Sequence, residues 1–397
     1  MKAIVLAAGE GKRMRPLTAN RPKPMLPVAG VPMLERLLRQ LRVAGVEEAT
    51  LVVNYREEVI RDHFEDGAAL DLKLSYARQE QPRGTGDAVR AAGNPGRDFL
   101  VLNGDLLVDQ EAITHLVQAK GPVLTAREVQ NPAAYGTWRL ENGRVAEVVE
   151  KSATPPSNLV NAGIYRFPAT VWRHIEALTP SPRGELELTD AVNASLREGT
   201  PYELQVLTTW LDVGRPWDLL AANETLLKTL TSDIRGKVEP GATVHGALHL
   251  GEGSVVKAGA YIEGPVWIGR NCQVGPNCYL RPYTVLCDGA KVGNACEIKA
   301  SLLMENAHAA HLSYVGDSVI GARANLGAGT LVANLRHDGK SVPVTWEGQR
   351  VDSGRRKLGV ILGDDVHTGI NTSLNVGVVL GAGAATLPGE VVLRSRP

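Results

Sequence analysis

From Val238 onward an aliphatic residue returns every sixth position: Val238, Val244, Leu250, Val256, Ile262, Ile268, Val274, Leu280, Leu286, Val292 and Ile298. No other feature of the 397-residue chain constrains its fold as tightly. The period is not that of an α-helix, which repeats every ~3.6 residues. It fits one flat face of a triangular coil with three faces per turn. Aliphatic side chains then stack down the axis, and each coil pairs its backbone with the next at about 4.8 Å. Glycine often follows the aliphatic position, as at Gly251, Gly269, Gly275 and Gly293. Four residues after that position the side chain is often small: Ala242, Ser254, Ala260, Cys272, Cys278, Thr284, Ala290 and Cys296. The period breaks after Ile298, and residues 299–316 are expected to project as a loop. It returns at Leu326 and Val332, then at Leu362, Thr368, Leu374, Leu380, Thr386 and Val392.

The remaining features fit around this repeat. Three of the four cysteines occupy its small inward slot and no Cys-x-x-Cys pair exists, so buried free thiols are expected rather than a metal site. The first 230 or so residues read differently. Residues 4–6, 50–53 and 99–102 are short aliphatic runs suited to buried strands. Residues 33–44 carry Leu34, Leu37, Leu38 and Leu41 at helical spacing, closed by Gly45. Strand, helix and strand with short connections imply a parallel sheet covered by helices, with ligands beyond the carboxyl ends of the strands. Two domains follow, residues 1–230 and 231–397.

Lys+Arg and Asp+Glu balance at 43 each, which gives no support to a nucleic-acid or membrane-surface partner. No apolar run approaches the roughly 18 residues of a membrane helix. The apolar residues at 3–8 are too few for a signal peptide and run straight into Gly9-Glu10-Gly11-Lys12-Arg13. A buried first strand and a cytoplasmic protein are expected.

That first strand ends in Leu6-Ala7-Ala8-Gly9-Glu10-Gly11-Lys12-Arg13-Met14, followed by Arg21-Pro22-Lys23-Pro24-Met25. A Gly-x-Gly just after a strand lets backbone N–H groups approach a phosphate closely. A dinucleotide fingerprint needs a third glycine where Met14 stands, and the P-loop pattern is absent. The whole stretch resembles the nucleotidyltransferase family that makes nucleotide-diphospho-sugars, and the resemblance extends over residues 1–230. It implies an α/β Rossmann-like domain in which Arg13 and Lys23 are catalytic. By the same resemblance Leu6, Gly9, Gly11, Gln79, Gly84 and Thr85 bind the nucleotide, with Gln79 and Gly84 reading its base. Asp105 of Asn103-Gly104-Asp105 and Asp212 of Trp210-Leu211-Asp212-Val213-Gly214 match the metal carboxylates. Gly136, Glu150, Lys151 and Asn161 match the sugar pocket. Lys12 departs from the Thr or Ser that many members carry. A pyrimidine base fits Gln79 through the resemblance, and guanine stays open.

The chemistry such a site performs is attack of a sugar phosphate oxygen on the α-phosphorus of a nucleoside triphosphate, with pyrophosphate leaving in line. Positioning and charge stabilisation dominate that reaction. Two carboxylates suit a hard cation, Mg²⁺ or else Mn²⁺ or Co²⁺. The cation, Arg13 and Lys23 would together offset the charge that builds on the phosphoryl group.

The repeat region resembles the left-handed parallel β-helix of the hexapeptide-repeat transferases. The handedness and a homotrimer are implied by that resemblance. His311-Leu312-Ser313-Tyr314-Val315-Gly316-Asp317 resembles the catalytic stretch of glucosamine-1-phosphate acetyltransferases. So do Asn325-Leu326-Gly327-Ala328-Gly329-Thr330, Asn334, Lys340, Arg281 and Lys299. The match is similar to the archaeal two-activity enzymes, which join the two domains in this order. It implies His311 as general base, suited because an ammonium must lose a proton before attacking a thioester. It places Arg281, Lys299 and Tyr314 on the sugar phosphate with Asn325 nearby. Asn334 and Lys340 fall at the sugar and cofactor edges of a cleft between subunits, and acetyl-CoA is the co-substrate. Residues 336–357 are an insertion relative to the shorter bacterial pattern. Its Gly354-Arg355-Arg356-Lys357 reads equally as a contact for coenzyme A phosphates or as a solvated turn.

Three functions are therefore on the table. The first is a two-activity enzyme that acetylates glucosamine 1-phosphate or a close relative. It also couples N-acetylglucosamine 1-phosphate or glucose 1-phosphate to UTP or dTTP. The second is a nucleotidyltransferase alone, with the β-helix as an oligomerisation module. The third is a non-catalytic relative, against which intact Arg13, Lys23, Asp105 and Asp212 argue.

Overall fold

The computed structural model describes residues 1–346 and 348–396. It separates into two compact units. The first comprises Met1–Glu10, Pro22–Met25 and Met33–Asp212; the second comprises Gly11–Arg21, Leu26–Pro32 and the chain from Val213 on.

A mixed sheet of nine strands organises the first unit. Lys2–Leu6 lies between its parallel neighbours Glu48–Val53 and Phe99–Asn103, and Lys73–Arg78 continues beyond Glu48–Val53. Leu159–Phe167 joins Phe99–Asn103 antiparallel. The expected helix runs Met33–Val43 and buries Leu34, Leu37, Leu38 and Leu41. Gly45, at φ +97°, ends it, and the Val46 N–H returns to the Leu41 carbonyl at 3.0 Å. The chain order around Lys2–Leu6 makes this the place where the sheet's winding reverses, the position at which open α/β sheets bind their ligands.

The second unit is a parallel β-helix of the left-handed, hexapeptide type. Three parallel sheets of eight, six and eight strands form its faces. Coils pair in register eighteen residues apart, as Leu250 pairs with Ile268 and Ile268 with Leu286. Leu250, Val256, Ile262, Ile268, Val274, Leu280, Leu286, Val292 and Ile298 are buried along the axis, and Val238 and Val244 pack against them. Cys272, Cys278 and Cys296 fill the inward slots, and all four cysteines are free and buried. Where the late repeat carries threonine, the hydroxyls satisfy one another: Thr330 with Thr368 at 2.7 Å and Thr372 with Thr386 at 2.8 Å.

The projecting loop expected over residues 299–316 is not there. These residues form another coil, through Leu302–Leu303, His308–His311 and Tyr314–Gly316. One residue is dropped at a corner, so that Leu286 pairs with Leu303 and Ile298 with Val315, seventeen apart. A second drop falls between Val315 and Ile320. The core thus continues as Leu303, Ala309, Val315, Ile320 and Leu326, while a strict count of six loses phase.

One face of the prism is covered within its own unit. Its outward residues Val285, Leu302, Val319 and Ile361 are all fully buried. The indole of Trp267 lies so close to Gly30 that a Cβ there would fall 2.0 Å from Nε1. Arg21 pairs with Glu305 at 3.0 Å and Asp364 at 3.8 Å. Such contacts group Gly11–Arg21 and Leu26–Pro32 with the prism. The insertion leaves after Leu335, which bridges Lys357 on return. Between them Pro343–Trp346 and Gln349–Asp352 form a hairpin. Trp346 meets Trp217 edge-on at 6.5 Å and Arg355 pairs with Glu224 at 2.6 Å. No helix among the described residues is long and apolar enough to cross a membrane.

Removing buried volume from the axis should cost dearly because the stacked coils cannot collapse independently. Ile298→Ala is expected to destabilise the second unit by roughly 2–5 kcal/mol, read as a lowered denaturation midpoint.

Candidate active sites

Within the first unit, the ends of Lys2–Leu6 and Phe99–Asn103 lie side by side, with Leu6 paired to Asn103. The Gly104 N–H donates to the Leu6 carbonyl at 2.9 Å, so the chain entering Asp105 is tied to the end of the first strand. Asp212 arrives opposite because Trp210–Asp212 pairs antiparallel with Leu106–Val108, setting Asp212 across from Leu106. The Lys23 ammonium sits between the two carboxylates, 2.5 Å from Asp105 Oδ2 and 3.5 Å from Asp212 Oδ1. Lys23 is buried, while both aspartates keep about a quarter of their side-chain surface open. No group of three or more His, Cys, Asp or Glu side chains suited to a metal exists among the described residues. Two convergent hard oxygens suit a cation such as Mg²⁺, which keeps several waters and takes phosphate oxygens as further ligands.

The other predicted residues of this half fall into small groups. Among the described residues, its chain neighbours aside, nothing lies within 4 Å of where a Gly9 Cβ would be, so packing does not demand glycine there. Gly11, at φ +65°, and Arg13, exposed in the turn Lys12–Met14, belong to the second unit. Gln79, Gly84 and Thr85 come together. The Gln79 amide donates to the Gly84 carbonyl at 3.1 Å and to Asp87 Oδ2 at 3.0 Å, and Thr85 Oγ1 accepts from the Leu188 N–H at 3.2 Å. Gly84 adopts φ +116°, and a Cβ there would fall 2.6 Å from the Leu186 carbonyl oxygen.

Gly136 faces Glu150, whose Oε1 would lie 2.8 Å from an added Cβ. Thr189 donates to that oxygen at 3.0 Å, and Arg183 lies 3.7 Å from Oε2. Burial raises the Glu150 carboxyl above its ordinary range, against the opposing pull of the Thr189 hydroxyl. Lys151 is exposed, and its N–H donates to the Tyr135 carbonyl at 3.1 Å. Asn161 bonds the Gly163 N–H at 3.1 Å and the Tyr165 hydroxyl at 2.6 Å. The sequence reading missed Asp87, Thr189 and Arg183. The charged run Arg183-Gly184-Glu185-Leu186-Glu187, in a loop just before a helix, was the available signal.

In the second unit Lys299 and Asn334 converge on Asp317, and Asn334 also holds the Tyr314 hydroxyl. The Lys299 ammonium lies 2.9 Å from both Asp317 oxygens. Asn334 Nδ2 donates to Asp317 Oδ2 at 2.6 Å and to the Tyr314 hydroxyl at 3.1 Å. Gly316 makes room for this, since a Cβ there would fall 2.5 Å from Asn334 Nδ2. Arg281 follows Leu280, which pairs with Ile298, so it stands one coil from Lys299 on the same face. It bonds Glu297 at 2.9 Å. Asp317 and Glu297, the acidic partners, stand in segments that carry the resemblance, but the sequence reading assigned neither a role.

His311 is not part of this cluster. It ends His308–His311 on the adjoining face, is exposed, and its imidazole has no hydrogen-bond partner among the described residues. Asn325 lies on that same face in register with His308, and Lys340 is exposed in the insertion.

Comparison with known proteins agrees with both halves. The family model described as Nucleotidyl transferase matches residues 2–229, and that of the GMPPB C-terminal domain matches residues 262–384. The Bifunctional protein GlmU of Methanocaldococcus jannaschii is 44% identical over 384 residues, covering 96% of this chain and 92% of that one. The Bifunctional sugar-1-phosphate nucleotidylyltransferase/acetyltransferase of Sulfurisphaera tokodaii is 40% identical over 398 residues, covering 99% and 98%. The chain belongs to this bifunctional nucleotidyltransferase/acetyltransferase family. A Bacillus anthracis crystal structure named for a glucose-1-phosphate thymidylyltransferase, in complex with a sucrose, superposes with a TM-score of 0.53 at 25% identity. It covers 59% of this chain and 97% of that one. Like its bifunctional relatives, the chain is an enzyme with a nucleotidyltransferase and an acetyltransferase activity. The matched segments contain, respectively, the Lys23–Asp105–Asp212 cluster and the Lys299–Asp317 cluster.

Glu150 supplies a test of the burial argument. An acid whose folded pKa lies above its unfolded value destabilises the fold once pH rises past the unfolded value, about 4.3 for glutamate. Glu150→Gln removes the charge and keeps the acceptor for Thr189. It is expected to raise the thermal midpoint at pH 7 and to give no gain at pH 4.

Proposed function

We propose that the Lys23–Asp105–Asp212 cluster is the nucleotidyl-transfer centre and that the Lys299–Asp317 cluster belongs to the acetyl-transfer centre. The observation that carries the first assignment is one ammonium held between two carboxylates at the strand ends where the sheet reverses. A sugar 1-phosphate attacks the α-phosphorus of UTP or dTTP there. Lys23 places positive charge where the phosphoryl oxygens gain negative charge, and Arg13 adds a second positive group. Asp105 and Asp212 hold the divalent cation, which when bound neutralises triphosphate charge. Gly136, Glu150, Lys151 and Asn161 take the sugar, and Leu6, Gly9, Gly11, Gln79, Gly84 and Thr85 take the nucleotide. The carboxyl of Glu150, Thr189 beside it and the Asn161 amide offer the acceptors and donors that sugar hydroxyls need.

For acetyl transfer, glucosamine 1-phosphate is the proposed acceptor and acetyl-CoA the donor. Arg281 and Lys299 are charged, stacked one coil apart and spaced to grip a phosphate, with Tyr314 and Asn334 alongside. His311 takes a proton from the ammonium; the freed amine nitrogen attacks the thioester carbonyl, the C–S bond breaks, and the departing thiolate takes up the second proton the nitrogen loses. Within one chain His311 and Asn325 lie on the face adjoining that of Lys299, so we place the complete site in a cleft between copies of a homotrimer. Lys340 stands at its edge. This reading makes the partners small molecules and the compartment the cytoplasm.

Two substitutions separate the activities. Arg13→Ala is expected to lower pyrophosphate release about 10²–10³-fold and to spare acetyl transfer. His311→Ala is expected to lower amine-dependent coenzyme A release about 10²–10⁴-fold and to spare nucleotidyl transfer. Loss of both activities in either variant would refute separate centres. Co-refolding His311→Ala with Lys299→Ala chains is expected to restore acetyl transfer in part, because mixed assemblies rebuild an intact cleft. No recovery would mean that each site lies within one chain.

A further inference from the structure

We infer that Asp87 locks the Gln79 amide in one orientation, so that the nucleotide pocket accepts uracil or thymine and rejects cytosine. The inference rests on the proposed reading that Gln79 meets the base. Asp87 acts as a positioning residue, through Gln79.

Both protons of Gln79 Nε2 are committed, one to the Gly84 carbonyl at 3.1 Å and one to Asp87 Oδ2 at 3.0 Å. Turning the amide over would set its oxygen against that carbonyl and that carboxylate. All three are acceptors, and none has a proton to share. The alternative is therefore excluded by chemistry, independently of how oxygen and nitrogen are assigned. The setting makes it costly as well, since Gln79 is 4% exposed and Asp87 8%.

The surroundings hold both partners still. The Gln79 N–H donates to the Val53 carbonyl at 3.0 Å, and its own carbonyl accepts from Asn54 Nδ2 at 2.5 Å. Asp87 sits in the first turn of the helix Thr85–Ala91, where negative charge is favoured. Its second oxygen, Oδ1, takes Arg83 Nη2 at 2.9 Å. Gly84 cannot swing away, because its backbone is packed against Leu186.

What Gln79 presents to a ligand is thus an oxygen only, and that oxygen accepts no hydrogen bond among the described residues. Uracil and thymine carry a proton on N3 and can donate to it. Cytosine has a bare N3, so its lone pair would face the amide oxygen with both left unsatisfied. A site built around one such bond discriminates strongly against the ligand that cannot make it.

The test compares kcat/KM for UTP and CTP in the full-length enzyme, with acetyl transfer as the check that each variant folds. Asp87→Asn replaces one of the two fixed acceptors with a group that can also donate, so the flipped amide keeps only its clash with the Gly84 carbonyl and becomes less costly. The expected result is a UTP preference narrowed about tenfold, with CTP use rising in absolute terms, a gain that mere damage cannot produce. An unchanged ratio, or an equal fall for both nucleotides, would overturn the role of Asp87. Gln79→Ala separates the two layers. If it leaves UTP use untouched, the base-reading assignment itself is wrong.

Discussion

Backbone pairing between neighbouring strands fixes almost everything else in this protein. In the prism a coil can satisfy its N–H and C=O groups only on the coil above and the coil below, so register is imposed at every level. That imposition stacks Arg281 beside Lys299 and sets Glu297 next to Tyr314. In the first unit the same constraint acts through a three-residue pair. Among the described residues Trp210–Asp212 pairs with Leu106–Val108 alone, and the pairing delivers Asp212 to Asp105 across about a hundred residues of sequence.

Charge then follows geometry. Each buried or half-buried cation in the two clusters has an acidic partner within reach, Lys23 with Asp105 and Asp212, Lys299 with Asp317. Burying such a cation alone is expensive, and pairing it with a carboxylate offsets that cost.

How much of this the sequence displayed depended on whether the signal was local. The axis of the prism was legible because its period is written in consecutive residues from Val238 to Ile298. The coil over residues 299–316 was not, since a single dropped residue shifts the phase while every backbone bond is kept. Lys23, Asp105 and Asp212 were legible as motifs, yet nothing in their spacing says that the lysine stands between the two carboxylates. Asp87 and Arg183 escaped notice, and Asp317 was quoted without a role, for the same reason: each matters through a contact made in three dimensions. Assigning Gly11–Arg21 and the helix Asp218–Leu227 to the neighbourhood of the repeat likewise required the contacts of Arg21, Gly30 and Asn223.

The two shortened corners and the long excursion after Leu335 share a lesson about tolerance. At each, the number of residues changes while the flanking strands keep their partners, as Val319 with Ile361 does across the whole excursion. A prism of this kind therefore behaves like a ladder whose rungs are fixed and whose side rails can be spliced. New recognition surfaces can be grafted onto a rail, or trimmed from it, without asking the hydrophobic axis to be solved again.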